Sequence, residues 1–440
     1  MTNILVLGGG ISGLTAARAI NELGQECLLL ERCPTVGGLT RTVEVGDFCF
    51  DYTGHFLHLS RYDTPADIPY AGLTNDTWQT VNRRSCCFVA GGMVTAPIQY
   101  HLGQLPPAVL QACVKSYEAR AQTTAPHQQS TAPHQPTFRS FIVDGFGEYL
   151  ADLFLIPQNE KTMAIKLECL SMGAVKRFFP PPNDALVRAG ILGKSPADAG
   201  YNSRFWYPTT GGIGRLVTGL ASGLKDVLTN QQVAAIDLRE RTLRTVAGDS
   251  FSWDLLFSSI PLKALCTCST DPELRHAAAQ LSHSSTVSFN IGIRGALRPE
   301  FEGVHWIYVP DRSVVFYRVG FYSNISRGTS SPGNSSIYVE VGLSSNELTT
   351  TDLVKELQPK VLASLEELGW VDSRSIACVV INVIEFAYVH HTANRERLMA
   401  SISERLRRSG VHLFGRYGLW DYTSMEDSME SARLTVQEVL

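Results

Sequence analysis

Apolar and polar positions recur with two different periods along this 440-residue chain, and the switches between them outline its elements. Ile4 to Leu7 is an unbroken apolar run, as expected of a strand buried on both faces, and Ile11 to about Leu23 has helical spacing. A second apolar strand is expected over Glu26–Leu30. After Thr42 the stretch VEVGDFCFDYTGHFLHLS is β-rich, with a turn at Thr53-Gly54-His55. Alternation predicts a hairpin from Arg83 to Thr95, then APIQYHLGQLP and a helix from about Pro107 to Ala121. Helical spacing returns from Gly147 to Phe154 and is expected to break at Pro157, which leaves Gln158, Asn159 and Lys161 in or beside a turn.

Further on, Phe205-Trp206-Tyr207-Pro208 leads into a glycine-rich loop, Thr209 to Gly214, that opens a helix from Arg215 to Leu224. Its N-terminus is expected to approach an anion or a cofactor. Val233 to Ile260 reads as a strand, a hairpin and an apolar strand that rejoins the first sheet. Residues 285–345 alternate with period two through STVSFNIGIRG, HWIYVPD, SVVFYRVGFYSN and SSIYVEVGL, an antiparallel sheet expected to floor a substrate lobe. A helix from Asp352 to Leu368, a strand from Ser375 to Phe386 and a tail with a glycine turn before a last helix complete the pattern. Residues 122–137 interrupt it: QTTAPHQQSTAPHQPT repeats TAPHQ, is polar and proline-rich, and is expected to be a flexible surface insertion.

A chain of this length exceeds one ordinary core, so two or more lobes are expected. With 38 basic against 42 acidic residues, the net charge of -4 points to no nucleic-acid partner and no anionic membrane. An anion site must then come from locally gathered arginines. The start, MTNILVLGGG, has no charged n-region and no run is long enough to span a membrane, so a cytoplasmic protein is expected. The ten cysteines form no zinc-ligand pattern; they are expected to be reduced thiols, and no metal site is expected.

The chemistry begins at Gly8, Gly10 and Gly13, which have the G-x-G-x-x-G spacing between the first strand and the first helix. Gly8 permits the turn, Gly10 leaves room for a pyrophosphate, and Gly13 lets the helix press on the sheet. Glu31, at the end of the second strand, stands where a ribose hydroxyl needs an acceptor. The pattern E-x(5)-GG-L-x(2)-T from Glu31 to Thr42, with Gly37-Gly38, resembles FAD enzymes, so FAD is the expected cofactor. Within this region Ser12, Arg32, Gly38 and Leu39 are expected to contact it, and Gly212 of the second glycine-rich loop to approach it. Arg318, alone among aromatics in a strand, needs an anionic partner, either a ligand or a structural salt bridge. The Lys176-Arg177 pair reads by composition as solvated surface.

Eight segments together resemble UDP-galactopyranose mutases, especially the larger eukaryotic type: FDYTGHFLHLS, PIQYHL, ADLFLIPQNEKTMAI, VKRFFP, FWYPTTGGIGRL, RPEFEGVHWIYVPDRSVVFYRVGFYSNIS, AYVHHTANRER and FGRYGLWDY. The resemblance implies an α/β fold with a Rossmann-like, GR2-type FAD-binding domain, an inserted helical lobe and an antiparallel, six-stranded substrate sheet. On it, residues 1–85, 201–265 and 376–440 form the FAD lobe, 86–200 the helical lobe and 266–375 the sheet lobe. It implies a non-redox reaction in which N5 of reduced FAD attacks the anomeric carbon of a nucleotide-sugar, and pyranose and furanose forms interconvert through the N5–sugar adduct. Arg177 and Arg318 would grip the diphosphate and Tyr388 and Tyr422 hydrogen-bond it. His55, Gly415, Arg416 and Tyr422 would lie by the flavin. Trp306 and Tyr308 would line the sugar pocket, Gln99 and Asn159 would face the nucleoside, and Met163 and Tyr317 would be further substrate-binding residues. NADPH or NADH is the reductant it implies; a homo-oligomer is left open.

The chain also departs from that pattern. Gln158 and Met163 replace a tyrosine and a tryptophan of P-Y-N-x-K-x-W, which removes stacking surface, and Ile98 stands in the PFQ motif. Val389-His390-His391 replaces a proline-threonine run, and Asp421 stands where the mutases usually carry a base. These changes leave the base and the sugar open: the expected substrate is a nucleotide-sugar, either UDP-galactose with its galactofuranose product or another. Two alternatives stay open: an oxidase or dehydrogenase of the amine oxidase and protoporphyrinogen oxidase scaffold, which would call for an apolar tunnel, and a flavin-binding protein without catalysis.

Overall fold

The computed structural model describes residues 3–123, 136–174, 179–194, 203–347 and 351–440. The TAPHQ repeats, Arg177 and Lys176 lie outside the described residues.

The run Ile4–Leu7 is the middle strand of a five-stranded parallel sheet. Leu255–Ser258 and then Val411–Leu413 pair on one side, Leu28–Leu30 and Val227–Leu228 on the other. The apolar strand before Ile260 thus rejoins the first sheet. The second strand starts only at Leu28, two residues later than its sequence suggests. Helix Ile11–Glu22 lies on this sheet and against the C-terminal helix Met425–Val439, burying Leu14, Ile20, Met429 and Val436 together. The helix Arg395–Arg408, which the sequence pattern did not bring out, buries only Leu398, Ile402 and Leu406 on a narrow apolar face, and its last turn is basic with Arg405, Arg407 and Arg408.

The second sheet has seven strands, where the resemblance implied six, in the order Ile376–Val389, His283–Arg294, Asn334–Ser344, Arg318–Phe321, Trp306–Tyr308, Ser85–Val89 and Gly92–Thr95. It is antiparallel except where Trp306–Tyr308 runs parallel to Ser85–Val89. The lobe boundaries expected at 86 and 376 are corrected by this pairing. The hairpin 85–95 and the strand 376–389 belong to the sheet rather than to the helical and FAD lobes. Period-two alternation explains the two faces. Val287, Phe289, Ile291, Val319, Val339 and Val341 meet Leu357, Val361 and Leu365 of helix Thr351–Glu367. The opposite face carries Thr286, Arg318, Glu340 and Tyr388, and it looks into the interior of the molecule.

The helical lobe, built on Pro107–Thr123, Phe138–Phe146, 148–163 and Asp184–Ile191, has its own core around Tyr117, Phe138, Ile142 and Phe146. The break expected at Pro157 does not occur. A π-helical segment, Ala151–Leu155, runs into helix Ile156–Met163, and Pro157 falls in its first turn, where a missing N–H costs the ladder least. Gln158, Asn159 and Lys161 are therefore helical. The strand expected through SVVFYRVGFYSN is only Arg318–Phe321, because the chain from Val309 to Phe316 is wrapped around Lys161 instead.

Candidate active site

One cavity of about 700 Å³ lies between the parallel sheet, the polar face of the seven-stranded sheet and the helical lobe. Its first end is the glycine turn. Gly8 adopts φ +98, open only to glycine without strain, and a Cβ on Gly13 would stand 1.7 Å from the Gly8 carbonyl oxygen. At Gly10 the nearest atom beyond its chain neighbours, Gly38 Cα, lies 3.9 Å from where a Cβ would stand, and the helix it opens has no side-chain cap. Room and unpaired N–H groups thus coincide where a pyrophosphate needs both. The Glu31 carboxylate is fixed beside them, accepting from the Gly9 amide at 2.6 Å and the Cys33 amide at 2.8 Å. Ser12, Arg32, Gly38 and Leu39 line the same end.

The middle of the cavity holds His55. Its loop is tied to the sheet, since Asn290 donates to the Asp51 carbonyl and Asn382 to the Tyr52 carbonyl, at 2.8 and 2.9 Å. Gly54 presses on Tyr338, whose hydroxyl would lie 2.3 Å from a Cβ there. Burial pushes the His55 imidazole down to about 4, with Glu340 pulling it up and Arg416 and Arg318 pulling it down. The ring is therefore neutral, and its Nδ1 is buried without a hydrogen-bond partner. Opposite elements bring in Arg416, which donates to the carbonyls of Thr423 and Ala387 at 2.9 and 3.2 Å and lies 4.2 Å over the Tyr422 ring. Its Nε is also buried and unpaired. Such orphaned polar atoms beside an open glycine cradle are what a bound flavin would satisfy, so the residues fit FAD.

The substrate end is lined by Gln99, Asn159, Met163, Trp306, Tyr308, Tyr317, Arg318, Tyr388 and Tyr422. Trp306 is held by stacking on Phe56 at 5.3 Å. Asn159 donates its amide to the Leu155 carbonyl at 2.7 Å, which leaves its oxygen for another partner. Tyr388 and Tyr422 lie 5.5 Å apart.

Arg318 is bound to Glu340 at two points, Nε to Oε2 at 2.6 Å and Nη2 to Oε1 at 2.8 Å. Thr53 also donates to Glu340. Burial alone would raise the Glu340 carboxyl, but Arg318 brings it below its ordinary value, so the pair is ionised. Arg318 thus has the structural salt-bridge partner that one alternative called for, and it also lines the cavity.

Of the residues singled out from sequence, Gly13 and Gly415 support the cavity from behind, Gly415 by close contact with Ser12. Gly212 is a correction. A Cβ on it would strike Asp51, and the next amides, of Ile213 and Gly214, are taken up by Asp51 and Thr42 at 2.9 and 2.8 Å. That helix N-terminus is satisfied by the protein's own carboxylate, so it does not reach the cavity. Two departures prove to be one feature: His391 Nε2 stands 3.0 Å from Asp421. Sequence reading missed Glu340 and Arg83, both on the cavity wall. Glu340 had a signal, as the single acid within an apolar alternating strand.

A glycine cradle on a parallel sheet, joined to a polar sheet face across a neutral histidine, defines a flavin-binding enzyme scaffold. Residues 11–440 match the flavin containing amine oxidoreductases, and the chain belongs to that family, which implies the FAD that the cavity fits. Over 43 residues it is 54% identical to flavin-containing amine oxidase A of Sus scrofa, a stretch that covers 10% of this chain and only 8% of that protein. A reduced UDP-galactopyranose mutase shares the fold with a TM-score of 0.90 at 24% identity, over 100% of this chain and 94% of that one. Cyclohexylamine oxidase from Brevibacterium oxydans IH-35A gives 0.66 at 15%, over 100% and 98%. A fatty acid isomerase from P. acnes gives 0.64 at 16%, over 99% and 98%. Among the described residues no helix is long and apolar enough to cross a membrane.

Proposed function

We propose that this chain is a flavin-dependent nucleotide-sugar mutase that interconverts pyranose and furanose forms. The observation that carries the reading is the composition of the cavity wall: Arg318, Arg416, Tyr388 and Tyr422 line one space with His55. A diphosphate leaving group gains charge as its bond breaks, and preorganised guanidinium and hydroxyl donors stabilise that charge. Bound reduced flavin supplies the electron-rich nucleophile.

The chain's own residues do the rest. Arg318 spends Nε and Nη2 on Glu340 and keeps Nη1 for the diphosphate, and Arg177 is its proposed second half. Tyr388 and Tyr422 donate to the same phosphates. His55, neutral, and Arg416 hold the cofactor's reactive edge. Trp306 and Tyr308 enclose the hexose, Gln99 and the free oxygen of Asn159 face the nucleoside, and Tyr317 and Met163 complete the substrate pocket. NADPH or NADH reduces the flavin in this reading.

The family match favours a second reading, an oxidase acting on a small amine. That chemistry would be served by an apolar tunnel. Here the lining is largely apolar too, but it carries Arg83, Arg318, Glu340 and Arg416, charged groups for which an amine oxidase reading has no use. Protein loaded with FAD and reduced with dithionite, incubated with UDP-, GDP- and TDP-hexopyranoses, should yield a furanose isomer of at least one on chromatography. No isomer from any of them, together with oxygen uptake on an amine, would transfer the assignment to the oxidase.

A further inference from the structure

Lys161 departs from the usual fate of a lysine. Its Nζ lies 2.8 Å from the Val309 carbonyl oxygen, 2.7 Å from Asp311, 2.9 Å from Val314 and 2.6 Å from Phe316. All four acceptors belong to one loop, which starts after Tyr308 and ends at Tyr317 and Arg318. Those three residues line the cavity. The same helix grips the loop twice more: Glu160 takes an ion pair from Arg312 at 2.5 Å, and Gln158 donates to the Tyr317 carbonyl at 3.1 Å. The helix in turn is seated on the sheet, because a Cβ on Gly342 would stand 2.0 Å from the Lys161 carbonyl oxygen. Gly342 is two residues beyond Glu340, the partner of Arg318.

We propose that Lys161 is a positioning residue: its ammonium is the template on which loop 309–316 folds, and it thereby sets Arg318 against the diphosphate of the substrate and holds Tyr308 and Tyr317 in the pocket beside it. This rests on the nucleotide-sugar reading above. An extended strand would point successive carbonyls to opposite edges, so four that converge on one point need a cation at the centre. Burial pulls the amine down to about 7, with Asp311 favouring the charged form and Arg312 opposing it. The carbonyl dipoles act with Asp311.

The test uses full-length, FAD-loaded protein and UDP, GDP and TDP as probes, measured by calorimetry. Lys161→Ala removes the template and leaves space; Lys161→Met keeps the bulk without the charge and serves where the first does not fold. In either variant, affinity for the diphosphate that wild type binds best should fall at least tenfold, while FAD content stays within a factor of two. Hydrogen exchange at 309–316 should quicken at least tenfold, with helix 395–408 unchanged. Added n-propylammonium should recover affinity in Lys161→Ala, and tetramethylammonium should not. Variants that bind the nucleotide as wild type does, whatever their melting temperature, would reduce Lys161 to a structural role and overturn the proposal. A loss of affinity without faster exchange at 309–316 would overturn it too. Wild type that binds none of the three would bring down the nucleotide-sugar reading itself, and this proposal with it.

Discussion

Arg318 and Glu340 stand directly opposite each other on neighbouring antiparallel strands, and their side chains close a two-point ion pair at the cavity wall. Glu340 is 1% exposed and the Arg318 side chain 16%. Removing one partner of such a pair leaves a buried charge unmatched and costs about 3–5 kcal/mol. Arg318→Met should therefore destabilise the protein by about 3 kcal/mol in urea unfolding. The double variant Arg318→Met/Glu340→Leu should recover most of that stability but bind nucleoside diphosphate at least tenfold more weakly than wild type. Wild-type affinity in the double variant would mean that the pair serves the fold alone.

The glycine turn separates binding from folding. Gly13→Ala drives a Cβ into the Gly8 carbonyl and should lower the melting temperature even without cofactor, whereas Gly10→Ala meets no protein atom within 3.9 Å. That second variant should keep the melting temperature of the cofactor-free protein and lose FAD affinity, which a flavin fluorescence titration would measure. Unchanged FAD affinity in Gly10→Ala would place the pyrophosphate elsewhere.

Acid should unfold the protein through buried histidines that do not themselves line the cavity. Burial pushes His283, His305 and His390 each down to about 4, from the ordinary 6.5 of a histidine. Between pH 4 and 6.5 the unfolded chain therefore binds more protons than the native one, so stability rises with pH across that window and is lost on going down through it. A fully buried imidazole shifted this far contributes about 3 kcal/mol. Asp51 opposes them: burial pushes its carboxyl up to about 6, so its contribution falls as pH rises from about 4 to 6. Three groups outweigh one, and the melting temperature should drop steeply from pH 7 to pH 4.5, less so in His390→Gln. A flat profile would show those rings to be solvated.

Nucleobase recognition should respond to the missing aromatics. Met163 lines the cavity where the resembled mutases carry tryptophan. Met163→Trp should tighten UDP binding about tenfold, the worth of one base–aromatic contact of about 1–3 kcal/mol. Weaker binding of UDP, with GDP unaffected, would show that the pocket has closed around a different base.

What could be read from the chain followed the range of the interaction. The glycine turn was legible because Gly8, Gly10, Gly13 and Glu31 lie within one local unit whose geometry follows from strand, turn and helix. The rejoining of Leu255–Ser258 to the first sheet was legible from its apolar run. The fold of loop 309–316 was not, because it depends on an ammonium about 150 residues earlier in sequence. Period-two alternation there gave a strand that tertiary contact overrides. Gly212 misled for a similar reason: its loop has the composition of an anion site, but Asp51, which occupies it, comes from another element. Asp421 and His391 read as two separate departures until the fold brought them within 3.0 Å.

The most direct measurement is positional isotope exchange. A nucleotide-sugar carrying ¹⁸O in the bridge between the anomeric carbon and the β-phosphate is incubated with the dithionite-reduced protein, and phosphorus NMR follows the label. Breaking and remaking that bond beside Arg318, Tyr388 and Tyr422 predicts migration of ¹⁸O into the non-bridging β-phosphate positions, in reduced protein only. A label that stays in the bridge for every nucleotide-sugar the protein binds would contradict the mutase assignment.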